Sequence, residues 1–212
     1  MYNLPYFKED DKQTILQFLH DHPFAFLTGS DSNGKQVATQ IPILVEERDG
    51  EWYLQGHFMR NTDHHKTFEA NRQVLALFTG PHAYVSASWY TTPQIGSTWN
   101  YMSVHVKGTL RFVDEKELED ILRVTSSHFE EENPQSATVF DNLPENFRQK
   151  AIQLIAGFEI EIKEIDTVFK LSQDRNKESY HNIIKKLRDQ DDSGRAIAAE
   201  MEKRTNELFP DN

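Results

Sequence analysis

The chain has 212 residues, no cysteine and a formal net charge of −11. Its length suits one domain, or one domain with a helical appendix, and the missing cysteines exclude disulfides, thiolate catalysis and Cys-ligated zinc. DNA-binding proteins gain most of their affinity by neutralising phosphates, so an acidic chain argues against non-specific nucleic-acid binding by the monomer. The longest apolar runs are far shorter than the roughly 20 residues of a membrane span, and no secretory signal is visible. We therefore expect a cytoplasmic protein without a membrane segment.

The first predicted element is a helix from Asp10 to His20, with Asp10 and Gln13 as a capping box. Strand-like runs follow at residues 24–28, 36–46 and 52–56. Asn33-Gly34 and Asp49-Gly50 mark the reversals between them, since both dipeptides are typical of hairpins.

The middle of the chain begins with a short predicted helix from Asn61 to Asn71, capped by Thr62 or Asn61. Two strands are predicted at 73–78 and 83–90, separated by Gly80-Pro81. A longer strand spans Tyr101 to Phe112, where apolar and polar residues alternate.

The last third is richer in helix. A helix from Glu115 to Phe129 is predicted with Asp114 and Glu117 as its capping box, and a second from Pro144 to Ala156. The next strand places Phe158, Ile160 and Ile162 on one face and Glu159, Glu161 and Lys163 outward. Polar helical segments around 180–189 and 197–208 end the chain.

Six or so antiparallel-looking strands predict a mainly β protein with flanking helices, of α+β class, in which the strands form a closed or nearly closed barrel. We expect a barrel domain with packed helices over residues 1–170 and a C-terminal helical extension over 171–212. The excess acid lies in residues 1–169, because residues 170–212 carry equal numbers of acidic and basic side chains.

No standard catalytic or nucleotide motif is present, so no catalytic residue is assigned. His57, His64 and His65 are the closest histidines, but adjacent side chains on a helix diverge, and no metal site is expected. The segment Gly56–Asn61 stands where a strand feeds a helix, which suits a phosphate held by backbone amides and Arg60. The alternative is a capped turn with a surface arginine.

Two aromatic segments follow, Phe78–Tyr90 and Thr98–Tyr101, with small hydroxyl residues among the rings. Such side chains can enclose a planar heterocycle, although core or dimer-interface packing explains any single aromatic equally simply. The segment Lys170–Arg175 could open a helix or supply a cation to a phosphate or a partner subunit.

Together these segments resemble the PaiB-like family of FMN-binding negative transcriptional regulators. The pattern runs through the chain in order. Its elements are Met1-Tyr2, Gly56-His57 with Arg60-Asn61, Gly80-Pro81-His82 through Ser88-Trp89-Tyr90, Thr98-Trp99-Asn100-Tyr101, Val104-His105-Val106, Gly157-Phe158-Glu159-Ile160 and Lys170-Leu171-Ser172-Gln173.

The resemblance implies an antiparallel split β-barrel of the FMN-binding type, related to pyridoxamine-phosphate-oxidase-like flavoproteins, with FMN at the interface of a homodimer. It implies that Arg60, Asn61 and Lys66 hold the phosphate, and His57 belongs to the same element. Residues implied to line the isoalloxazine ring or the dimer contact are Ser86, Trp89, Tyr90, Trp99 and Asn100. Lys170 and Gln173 would reach the same site or the partner subunit.

The family name also implies repression of transcription, and hence a DNA partner, although no clear DNA-reading helix is visible. Two alternatives stay open. The same fold could serve an FMN-dependent oxidoreductase, of the flavin reductase or oxidase kind. It could also bind haem, in which case His57, His82 or His105 would matter.

Overall fold

The computed structural model describes residues 1–92 and 95–210, which form six strands and seven α-helices. The strands are β1 (Phe24–Ser30), β2 (Gln36–Arg48), β3 (Glu51–Met59), β4 (Gln73–Val85), β5 (Thr98–Phe112) and β6 (Ile155–Lys170). The helices are α1 (Lys12–Asp21), α2 (Asp63–Ala70), α3 (Glu115–Phe129), α4 (Glu145–Leu154), α5 (Lys177–Arg188), α6 (Asp192–Lys203) and α7 (Thr205–Leu208).

The strands hydrogen-bond in the order β1-β2-β3-β6-β5-β4, and β4 pairs back with β1, which closes the sheet into a barrel. The pairings of β1 with β2 and β4, and of β3 with β2 and β6, are antiparallel. Asp49 and Gly50 both have positive φ angles, of 54° and 80°, as a tight hairpin between β2 and β3 requires. The predicted α+β class and antiparallel barrel are confirmed.

The barrel interior is built from alternate residues of each strand. Leu27 of β1, Ile43 of β2 and Leu54 of β3 are fully buried, as the two-residue period of a strand demands. The alternation predicted for β5 is confirmed, because Val104, Val106 and Leu110 are also fully buried and Met102 nearly so.

Four local predictions were wrong, and one of them is the strand expected over residues 83–90, which ends at Val85 and is followed by a 3-10 turn from Ala87 to Trp89. Asp11, and not Asp10, caps α1, since its Oδ2 accepts hydrogen bonds of 2.8 Å from both the amide and the hydroxyl of Thr14. The segment Gly80-Pro81 does not interrupt β4, because the φ angle of proline is compatible with an extended strand. The helix predicted to reach Ala156 ends at Leu154, and Ile155 already begins β6.

The described residues divide into two compact units. The first comprises residues 1–15, 79–104 and 166–210, and in it the Tyr180 hydroxyl of α5 donates a 2.8 Å hydrogen bond to the Met201 carbonyl of α6. The second comprises residues 16–78 and 105–165, and in it Leu118, Phe140 and Ile152 form a hydrophobic cluster beside the barrel. The domain boundary predicted at residue 170 stays a prediction.

No helix in residues 1–92 and 95–210 is both long and apolar enough to cross a membrane.

Candidate cofactor site

The turn between β3 and α2 holds three of the predicted phosphate-binding residues, Arg60, Asn61 and Lys66. The Arg60 amide donates to the Leu154 carbonyl at 2.9 Å, which fixes the end of β3. Asn61 has a φ angle of 63°, in the left-handed region that asparagine tolerates better than most residues. Its amide donates to Nδ1 of His65 at 3.3 Å. These contacts turn the chain sharply from the barrel into the helix.

Thr62 is the cap of α2, which decides between the two predicted caps. Its hydroxyl accepts from the His65 amide at 3.3 Å and donates to the Met59 carbonyl at 3.0 Å. The Asp63 carboxylate accepts from the His64 amide at 2.8 Å. Two amides of the first turn are therefore occupied by the helix's own side chains, so a phosphate here would depend on side-chain cations more than on backbone amides.

Arg60 and Lys66 provide those cations. Both are exposed, and neither forms an ion pair with another residue in the described ranges. Both also act on His65: burial is the main cause that lowers the pKa of this imidazole, Glu69 raises it, and the charges of Arg60 and Lys66 lower it further. The phosphate of FMN prefers charge-assisted hydrogen bonds. Arg60 and Lys66, which both act on His65 and form no ion pair in the described ranges, could supply them.

Arg60 also lines a cavity of about 330 Å³. Its lining includes Asp114 and Glu115 at the start of α3. Negative charge there opposes a phosphate, so this cavity is electrostatically a poor place for one.

His57 is the fourth predicted cofactor-binding residue of the second compact unit, and it lies on β3 opposite Gly157. Its Nδ1 atom is buried and has no hydrogen-bond partner among the described residues. Burial lowers the pKa of its imidazole, so His57 is neutral near pH 7.

Ser86, Trp89 and Tyr90 lie in the first compact unit, directly after β4. Ser86 caps a single 3-10 turn from Ala87 to Trp89 by accepting from the Ser88 amide at 3.3 Å. The guanidinium carbon of Arg175 lies 4.7 Å from the centroid of the Tyr90 ring, and burial raises the pKa of the Tyr90 hydroxyl. Arg175 was foreseen only as part of the Lys170–Arg175 segment and not as a partner of Tyr90.

Trp99 is 53% exposed and lies in an aromatic cluster at the start of β5. Its ring centroid is 5.9 Å from that of Tyr84, itself 46% exposed, and 6.1 Å from that of His82. Tyr84 was not singled out from the sequence, although its alternation along β4 with the buried Ala83 and Val85 places it outward. The cluster offers exposed ring faces to a planar group or to another protein surface.

The other three predicted cofactor-binding residues, Asn100, Lys170 and Gln173, form hydrogen bonds with other residues of the chain. The fully buried Asn100 accepts a 2.9 Å hydrogen bond from the Ser172 hydroxyl. Lys170 donates to the Trp99 carbonyl at 2.8 Å and to the Thr98 hydroxyl, and burial lowers the pKa of its amine. Gln173 accepts from the Leu171 amide and donates to the Phe169 carbonyl. These contacts hold the ends of β5 and β6 together, and cofactor contacts by these residues stay predictions.

In the described part of the chain, no group of three or more histidines and carboxylates is arranged to hold a metal ion.

Comparison with known proteins identifies the family. Residues 1–164 match the model of a family described as "Putative FMN-binding domain". The chain belongs to this family. "Protease synthase and sporulation protein PAI 2" of Bacillus subtilis (strain 168) is 32% identical over 203 residues, which cover 95% of this chain and 96% of that protein. An uncharacterized protein of Saccharomyces cerevisiae is 31% identical over 116 residues, covering 51% of this chain and 69% of that protein. The resemblance drawn from the sequence motifs is confirmed.

Solved structures support the fold of this FMN-binding domain. The FAD and heme binding protein from Mycobacterium smegmatis superposes with a TM-score of 0.56 and 15% identity, covering 77% of this chain and 73% of that chain. The flavocytochrome Anf3 from Azotobacter vinelandii superposes with a TM-score of 0.56 and 18% identity, covering 80% of this chain and 72% of that chain. The predicted antiparallel split barrel of the FMN-binding type is confirmed, and the family assignment supports FMN as the cofactor.

Proposed function

We propose that this protein is an FMN-binding regulator that works as a homodimer and represses transcription. The observation that carries the flavin part is that two exposed cations at the turn into α2, Arg60 and Lys66, have no ion-pair partner in the described part of the chain. The regulatory part rests on the resemblance to the PaiB-like family of transcriptional regulators, and the match to PAI 2 over nearly the full length of both chains supports that resemblance. FMN supplies a redox-active planar ring when bound.

Arg60 and Lys66 would hold the terminal phosphate of FMN from the sides, since part of the α2 amide set is already engaged. Trp99 and Tyr84 would offer their exposed faces to the second subunit. His57 would add a neutral imidazole nitrogen that has no hydrogen-bond partner among residues 1–92 and 95–210.

The phosphate role is tested by titrating FMN and riboflavin into the wild type, Arg60→Ala and Lys66→Ala, with flavin fluorescence as the readout. A hydrogen bond to a charged group is worth roughly 1.5–3 kcal/mol, so each variant should bind FMN about tenfold or more weakly. Riboflavin has no phosphate, and its affinity should stay unchanged. Lys150→Ala removes an exposed lysine of α4 and serves as the matched control. If both variants bind FMN as tightly as the wild type does, the phosphate does not bind at this turn.

The regulatory output is tested with FMN-loaded protein and a pool of genomic DNA fragments at several salt concentrations. A regulator should retain a small set of fragments in the presence of excess competitor DNA, with affinity that falls as salt rises. The exposed Lys185 and Lys186 on α5 are the first residues to replace with glutamate if fragments are retained. Retention of no fragment, together with steady turnover of NAD(P)H by the bound flavin, would favour the oxidoreductase instead.

A further inference from the structure

The cavity of about 330 Å³ that Arg60 lines lies within the second compact unit. Its lining combines the apolar side chains of Val113, Leu118 and Ile152 with the charged side chains of Arg60 and Glu115. Small-molecule sites have volumes of roughly 300–1,000 Å³, with a mostly apolar lining and a few polar groups that orient the ligand. The size and the lining of this cavity therefore suit a small organic ligand.

The apolar part of the cavity is formed before any ligand arrives. Leu118 and Ile152 belong to the hydrophobic cluster of the second compact unit, and Val113 packs against that cluster. The amide of Arg60 donates to the Leu154 carbonyl at 2.9 Å, which fixes the backbone beside the Arg60 side chain. A ligand would therefore meet a wall that needs little rearrangement, which lowers the cost of binding.

The two charged residues of this lining carry opposite charges and do not pair. Arg60 and Glu115 are exposed, and neither forms an ion pair with any residue in the described ranges. Asp114, which also lines the cavity, accepts from the Glu117 amide at 2.9 Å as the cap of α3. Opposite charges that line one cavity without meeting leave room for a ligand that contacts both.

A ligand that matches this pattern carries one negative and one positive group. A carboxylate can accept two parallel hydrogen bonds from a guanidinium such as that of Arg60. An ammonium group can donate to the carboxylate of Glu115, because the full charges of Asp114 and Glu115 outweigh the roughly half positive charge of a helix start. An α-amino acid bears both groups on one carbon atom, and an apolar side chain would cover the apolar part of the cavity.

We propose that this cavity binds an α-amino acid with an apolar side chain, and that the bound amino acid weakens the binding of FMN. Arg60 holds the carboxylate and Glu115 holds the ammonium group. The effect on FMN rests on the proposed function, in which Arg60 is one of two cations for the FMN phosphate. A carboxylate on Arg60 neutralises the charge that this phosphate uses. By linkage, FMN weakens the binding of the amino acid by the same factor.

The first test is isothermal titration calorimetry of the flavin-free wild type with L-valine, L-leucine, L-methionine and L-phenylalanine. At least one of them should bind saturably. The alcohol analogue of the tightest ligand lacks the carboxylate and its N-acetyl derivative lacks the ammonium group, so both should bind about tenfold or more weakly. Saturable binding of none of the four amino acids would overturn the site, and equal affinity for either analogue would reject the recognition of both charges.

Variants separate the contacts of the amino acid from those of FMN. Glu115→Gln should bind the amino acid about tenfold or more weakly and keep the FMN affinity of the wild type. Lys66→Ala should do the reverse, because Lys66 lies outside the cavity lining. Arg60→Ala should lose affinity for both ligands. Glu51→Gln, at an exposed glutamate of β3 outside this lining, is the control and should change neither affinity.

The effect on FMN is measured by titrating FMN with and without a saturating concentration of the amino acid, with flavin fluorescence as the readout. The dissociation constant of FMN should rise several-fold in the wild type and stay constant in Glu115→Gln. Riboflavin has no phosphate, so the amino acid should leave its affinity unchanged in both proteins. An FMN affinity that the amino acid does not alter in the wild type would reject the competition.

Failure of the amino-acid site and failure of the proposed function give different results. If an amino acid binds with an affinity that depends on Arg60 and Glu115, but Arg60→Ala and Lys66→Ala bind FMN as the wild type does, the amino-acid site stands and the phosphate role falls. If the same two variants bind FMN more weakly but no amino acid binds to the wild type, the phosphate site stands and the proposal for the cavity is wrong.

Discussion

At the scale of single residues, Glu159 is a buried carboxylate whose hydrogen bonds reach three other strands of the barrel. It lies on the face of β6 opposite to Phe158 and Ile160, as its spacing predicts, yet it is buried. Arg111 and Gln55 each donate a 2.9 Å hydrogen bond to its carboxylate, and Arg48 donates another. Alternation along one strand could predict the direction of this side chain, but not the arginines from β2 and β5 that cover it.

Glu159→Ala should therefore destabilise the fold. Removing one partner of a fully buried ion pair costs about 3–5 kcal/mol, and we expect about 2–3 kcal/mol here because the two arginines remain partly exposed. Urea unfolding measures the change. Glu164→Ala, which breaks the exposed ion pair with Lys107, should cost less than about 1 kcal/mol. Equal losses in the two variants would contradict a structural role for Glu159.

His57 should make stability depend on pH. Burial lowers its pKa in the folded state, so the unfolded chain binds a proton first, at the ordinary value of about 6.5. Its contribution is complete above that pH and is lost as the pH falls below it. His57→Leu should reduce the fall in unfolding free energy between pH 7.5 and 5.5. An unchanged pH profile in His57→Leu would show that other groups carry the dependence.

At the scale of elements, sequence signals such as capping residues predicted those helix ends that depend on neighbouring residues alone. The bounds of α3 match the prediction because its capping box, Asp114 with Glu117, is local in sequence. The end of α4 was missed because Ile155 is drawn into β6 by pairing with Met59, nearly a hundred residues away. For the same reason the motifs could not predict that Asn100 is buried against Ser172.

The close approach of β5 and β6 gives a test at this scale. A Cβ atom at Gly108 would lie 2.4 Å from a methyl group of Ile160 and 2.5 Å from the backbone oxygen of Glu161. A backbone oxygen in a paired strand cannot move aside cheaply, so Gly108→Ala should destabilise by about 2–3 kcal/mol. Gly96→Ala, where a Cβ would meet open space, should be near neutral in the same thermal unfolding experiment. A near-neutral Gly108→Ala would mean that β5 and β6 are farther apart than described.

At the scale of the whole molecule, net charge sets how association responds to salt. Two copies at −11 each repel one another, and the Debye length falls from about 30 Å at 10 mM salt to about 8 Å at 150 mM. If the contact itself is uncharged, screening removes repulsion without weakening attraction. Sedimentation equilibrium should therefore show a tighter wild-type dimer at about 150 mM NaCl than at about 10 mM. A dimer that loosens over this range would mean that opposite charges meet across the contact.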